Sequence, residues 1–111
     1  MDERRKCPRF DVVLKARFET DLQFQEALVR SLCSGGLFLS TESPFDVGFQ
    51  FLLEVDLPEK NRAIEGKCEV VWVNQVRAEN YPTGMGVRFV EMSPEDEKLL
   101  AEHLLHLKAA S

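Results

Sequence analysis

The 111 residues match the length of one domain, and 44% apolar residues with eight phenylalanines are enough to build a core, which argues against disorder. A formal charge of -5 excludes a general polyanion-binding surface, because such affinity grows with the number of phosphates neutralised. No run of about 18 apolar residues is present to span a membrane.

The N-terminus carries charges with no apolar stretch behind them, so no signal peptide is expected. Cys7, Cys33 and Cys68 are odd in number and form no CxxC pair or Cys/His cluster, which speaks against a zinc site or disulfide framework. A reduced, cytoplasmic setting is the default that follows.

In chain order, the stretch from Glu3 to Arg9, ERRKCPR, comes first, with Arg4, Arg5, Lys6 and Arg9 in an otherwise acidic protein. From Met1 to Arg17 there are six Lys or Arg against three acids, an asymmetry that points to a small anionic partner for this arm. Val12, Leu14, Ala16 and Phe18 then alternate with Val13, Lys15 and Arg17, the period of a half-buried strand. A turn at Glu19-Thr20-Asp21 leads to a second strand over Phe24 to Cys33, whose weaker alternation predicts a bulge.

After Ser34-Gly35-Gly36 a short strand runs from Leu37 to Ser40, and Glu42 to Gly48 is turn chemistry. Strand four places Phe49, Phe51, Leu53, Val55 and Leu57 on one face. Strand five, from Ala63 to about Val76, places Ile64, Gly66, Cys68, Val70 and Trp72 on one face, opposite Glu65, Lys67, Glu69 and Val71. The last strand carries Met85, Val87 and Phe89 on one side, with Gly84 and Gly86 sparing volume for another element.

Ser93 and Pro94 then form a helix start with acids in the first turn, and Leu100, Leu104 and Leu107 form its apolar stripe. Six short strands and one terminal helix without βαβ alternation predict a small antiparallel barrel.

Catalytic chemistry finds no support. Ser31, Ser34 and Ser40 have no GxSxG setting, and the carboxylates form no specific pair. His103 and His106 stand three apart on the helix, with only Glu102 near as a further ligand. They are expected to be exposed histidines favoured by the helix C-terminus, with no metal. Arginine does fit an anion, since its planar fork binds phosphate through two bonds and stacks on bases. Arg5 and Arg9 are four apart, with Pro8 stiffening the chain between them.

The order of Arg5-x-x-x-Arg9, then SLCSGG from Ser31 to Gly36, resembles the PilZ domain family, which carries an RxxxR segment and a downstream [D/N]xSxxG motif. The stretches GGLFLSTESPFDVG, CEVVWV and GMGVRFVEMSPEDEKLL extend the likeness over nearly the whole chain.

The resemblance implies a mostly β fold: a six-stranded antiparallel barrel over residues 11–91, closed by a C-terminal helix over 93–110 and preceded by a basic arm over 1–10. It implies a receptor for cyclic di-GMP, with no other cofactor and no enzymatic activity. Carried over by position, the ligand residues are Arg5 and Arg9, with Arg4 as an auxiliary, and Ser31, Cys33 and Gly36.

Two motif positions depart from the family pattern. Ser31 stands where a carboxylate or amide is expected, and Cys33 where a serine is expected. A carboxylate accepts two hydrogen bonds from a guanine edge, whereas one hydroxyl cannot form that paired contact. Two such losses would weaken binding by roughly ten- to a hundredfold.

Two other readings are a PilZ-like protein-interaction module with weak or no ligand binding, and a redox regulator using Cys33 or Cys7 near arginines. With no output module expected in so small a domain, signalling goes through an unidentified protein partner, in control of motility or surface behaviour. The chain is expected as a monomer or homodimer.

Overall fold

The computed structural model describes residues 9–19, 24–76 and 82–110. Its strands are β1 (Phe10–Glu19), β2 (Phe24–Cys33), β3 (Gly36–Ser40), β4 (Gln50–Leu57), β5 (Arg62–Asn74) and β6 (Gly84–Met92), followed by α1 (Pro94–Ala110). All neighbours are antiparallel and the sheet closes on itself in the order β1-β2-β3-β6-β5-β4, the barrel expected from the sequence. Closure comes from the far end of β1, where Ala16, Arg17 and Phe18 pair with Val55, Glu54 and Leu53.

Period-two alternation fills the interior. Leu14, Ala16 and Phe18 of β1 meet Leu53, Val55 and Leu57 of β4 and Ile64, Cys68 and Val70 of β5. Met85 and Val87 of β6 complete the wall, and Leu100 of α1 packs onto the same cluster. Burial pushes the Cys68 thiol up to about 12, because loss of water disfavours the thiolate. On the outside, Arg17 donates from Nε to Glu54 (2.9 Å) and from Nη1 to Asp56 (3.0 Å), bracing the closing seam.

Turn chemistry follows the sequence. Gly48 sits at φ 96°, a left-handed conformation that favours glycine. Ser93 caps α1, its Oγ accepting from the Asp96 N–H at 3.1 Å, and Asp96 in turn accepts from the Glu65 N–H of β5 at 3.0 Å. The expected bulge in β2 is present as a register shift between Val29 and Ser31.

Three expectations are corrected. A register shift between Val70 and Trp72 turns β5 over, so that Val73 faces the core and Trp72 does not. Phe49 lies before β4 begins and is 47% exposed, its ring tilted at 45° against Phe45 with centroids 4.4 Å apart. His103 is buried, not exposed, at 5% accessibility. Its Nδ1 meets Glu59 Oε1, on the one-turn 3-10 helix Pro58–Lys60, while His106 Nδ1 lies 3.3 Å from Glu59 Oε2. One carboxylate thus takes both imidazoles, and Lys60 Nζ holds Glu102 at 3.0 Å, which commits the side chains the helix offered for a metal.

Candidate functional site

Of the candidate residues, Arg9, Ser31, Cys33 and Gly36 gather where the start of β1 meets the β2–β3 hairpin. Phe10 pairs with Leu32 and Asp11 with Ser31, while on the other edge of β2 Ser31 pairs with Phe38 and Cys33 with Gly36. The hairpin turns tightly through Ser34 and Gly35, and the Gly35 carbonyl accepts from Phe89 N–H of β6 at 3.0 Å.

Gly36 is needed for space. A Cβ there would lie 2.2 Å from the Val87 carbonyl oxygen, so the space at Gly36 is taken by the close approach of β6.

The wall beside the hairpin carries an aromatic pair. Phe38 and Trp72 stack with centroids 5.3 Å apart and planes 28° from parallel. They lie over the glycines of β6. A Cβ at Gly86 would come within 2.0 Å of Trp72 Nε1, and one at Gly84 within 2.8 Å of Phe38 Cζ. The spacing in TGMGV therefore makes room for two rings on the outside of the barrel. Sequence reasoning missed this pair, because strict alternation put Trp72 inside.

Two open cavities flank the rings. The larger, about 620 Å³, is lined by Arg9, Asp11, Arg30, Ser31, Phe38 and Pro82, among others. Pro82 is anchored by Asn74, whose Nδ2 donates to its carbonyl at 2.9 Å. The smaller, about 420 Å³, is lined by Arg9, Cys33, Gly36, Trp72, Gly86 and Arg88, among others. Arg9 belongs to both.

The structure therefore brings Arg9 together with Ser31 in one cavity and with Cys33 and Gly36 in the other. Arg4 and Arg5 lie outside the described residues. Cys33 corrects the expectation of reduced thiols: its sulfur stands in a disulfide and has no S–H to donate.

The electrostatics single out two arginines. Arg17 is held by Glu54 and Asp56, Arg62 reaches Glu95 at 3.4 Å, and Arg88 reaches Glu69 at 3.0 Å. Glu69 also accepts from Gln50 Nε2 at 3.1 Å, and these bonds, Gln50 first, hold its carboxyl below the usual carboxylate range. Among the described residues, Arg9 and Arg30 are the arginines with neither an ion pair nor a hydrogen bond, and both line the larger cavity. Arg30 sits within the β2 register shift, which turns its side chain toward that cavity, a placement that alternation alone does not reveal.

The PilZ domain family model matches residues 3–106. The chain belongs to the PilZ domain family. Members are non-catalytic receptor or adaptor modules of the cyclic di-GMP receptor family.

Among solved structures, this PilZ domain is similar to the Bacillus subtilis inhibitor of motility MotI/DgrA, with TM-score 0.84 and 20% identity over 99% of this chain and 53% of that one. It is similar to the PilZ domain of Escherichia coli YcgR, solved with c-di-GMP, with TM-score 0.76 and 16% identity over 97% and 94% of the two chains. MrkH, described as a c-di-GMP-dependent transcription regulatory factor, matches with TM-score 0.79 and 18% identity over 98% and 53%. The chain thus spans about half the length of MotI/DgrA and of MrkH. No curated protein matches the sequence.

Proposed function

We propose that this PilZ domain is a receptor for cyclic di-GMP and passes the signal to a protein partner. The observation that carries the reading is the pair Arg9 and Arg30: both lack an ion pair among the described residues, and both line one cavity with Ser31 and the Phe38 ring. A cyclic dinucleotide has two phosphodiester anions and two flat purines. Guanidinium groups answer the first by bidentate hydrogen bonds and the second by stacking.

Arg9 lies between the cavities, where one side chain can reach either half of such a ligand. In this reading Arg5 acts with Arg9 on the ligand, and Arg4 is an auxiliary. Ser31 and Gly36 supply the hairpin surface, and Cys33 contributes shape without an S–H donor.

The described residues contain no helix long and apolar enough to cross a membrane. The reading places the domain in the cytoplasm with its nucleotide ligand, as a monomer or homodimer, in control of motility or surface behaviour. The likeness to a motility inhibitor supports that last step.

Calorimetric titration with cyclic di-GMP tests the proposal. Saturable binding, lowered at least about tenfold by Arg9→Ala or Arg5→Ala and unchanged by Arg62→Ala, is expected, since a charge-assisted bond is the stronger kind. No heat at high micromolar ligand overturns it. The departures at Ser31 and Cys33 favour a second reading, a protein-interaction module without the nucleotide. Capture of the same protein partner with and without cyclic di-GMP, by a chain that gives no titration heat, is its outcome.

A further inference from the structure

We infer that Asp11 supplies the guanine-recognising carboxylate that position 31 lacks. This rests on the cyclic di-GMP reading above and assigns a specificity-determining residue within it.

Three observations on Asp11 converge. It is the direct cross-strand partner of Ser31 in the β1–β2 ladder. Directly opposed residues project from the same face of an antiparallel pair, with Cβ atoms about 4.5–5.5 Å apart. A carboxylate moved from position 31 to position 11 therefore shifts by one strand and stays on the same surface.

The larger cavity bears this out, being lined by both Asp11 and Ser31, with the Phe38 ring as its apolar wall. Finally, Asp11 is exposed and makes no ion pair or hydrogen bond among the described residues, although Arg9 and Arg30 line the same cavity. Its two oxygens are free to accept.

The chemistry selects the base. The Watson–Crick edge of guanine presents N1–H and an exocyclic N2 amino group side by side, and a carboxylate accepts from both. Adenine presents an N1 acceptor at the corresponding place, which a carboxylate oxygen repels. The Ser31 hydroxyl alone, with one donor and no paired acceptor geometry, discriminates little between the two. With Arg9 and Arg30 on the phosphates and Asp11 on the base edge, the cavity separates affinity from identity.

The test is titration of the full chain with cyclic di-GMP and with cyclic di-AMP, for the wild type, Asp11→Ala, Asp11→Asn and Asp11→Ala/Ser31→Asp. Wild type is expected to prefer cyclic di-GMP. Asp11→Ala is expected to lose roughly ten- to a hundredfold in cyclic di-GMP affinity, the scale of charge-assisted hydrogen bonds, with cyclic di-AMP binding unchanged or improved. Asp11→Asn falls between, and the double variant regains the preference because the carboxylate returns within the same cavity.

A variant that merely loosened β1 would weaken both ligands together, and the double variant would not recover; that outcome overturns the assignment. So does a cyclic di-GMP affinity for Asp11→Ala within twofold of a wild type that binds. A wild type that binds neither nucleotide removes the receptor reading itself, and the assignment with it.

Discussion

The indole of Trp72 rests on Gly86, so closely that a Cβ there would lie 2.0 Å from Nε1. Gly86→Ala must therefore displace the ring and unstack it from Phe38. Overpacking of this kind costs about 1–3 kcal/mol, to be read from denaturant unfolding. Trp72 is the one tryptophan of the chain, so its emission reports the displacement directly, with a red shift expected as the ring moves into water.

The same fluorophore lines the smaller cavity, so cyclic di-GMP is expected to change its emission. A saturating change that vanishes in Arg9→Ala would locate the nucleotide beside the indole. An unchanged spectrum at a ligand concentration that saturates calorimetry would put the bases elsewhere.

Arg17 carries a pH signature. Its hydrogen bonds hold the Asp56 carboxyl below the ordinary value of 3.8. A carboxyl with a depressed folded value contributes stability that is complete above its unfolded value and is lost as pH falls through the folded one. Wild type and Arg17→Met should differ by about 1 kcal/mol or less near neutrality, the range of exposed ion pairs. The two should converge below pH 3.8, in urea titrations across the acid range. Parallel curves would mean that the bridge contributes nothing at the seam.

Glu59 links a turn to a helix through two histidines of unequal burial, His103 at 7% and His106 at 62% side-chain exposure. Double-mutant cycles with Glu59→Ala should give a coupling of about 0.5–3 kcal/mol with His103→Ala. With His106→Ala the coupling should fall to about 0.2–1 kcal/mol, as for a solvent-exposed pair. Equal couplings would contradict the burial difference.

Cys68 should resist thiol reagents at pH 8 in the folded protein and label only on unfolding, because burial raises its thiol to about 12. Since the folded value exceeds the unfolded one, the buried thiol's contribution is complete below its ordinary value of 9.0 and is lost as pH rises toward 12. Cys68→Ala should remove that part of the alkaline loss of stability. Peptide mapping after alkylation checks the first expectation and unfolding curves above pH 9 the second.

Much of this was legible in the sequence because period-two patterns survive wherever a strand stays in register. The faces of β1 from Leu14 onward and of β4 from Phe51 onward follow directly from it, and the Ser93 cap follows from its own helix-start signal. Trp72 was misplaced because one bulged residue inverts every side chain that follows, and nothing in CEVVWV marks where the extra residue falls. His103 was misplaced because its burial depends on Glu59, supplied by a turn 44 positions away. Ser31 was recognised by its neighbours in the motif, but Asp11 opposite it became visible only with the strand pairing.

Along the closing seam, where Arg17 pairs with Glu54 between Ala16–Val55 and Phe18–Leu53, β1 and β4 leave no row of unpaired backbone groups for an incoming strand. A protein that reads the barrel at this seam therefore does not do so by lending it a strand there. Recognition falls to side chains and to whatever the ligand rearranges among them, so a partner's selectivity can be altered by surface substitution without touching the weave beneath.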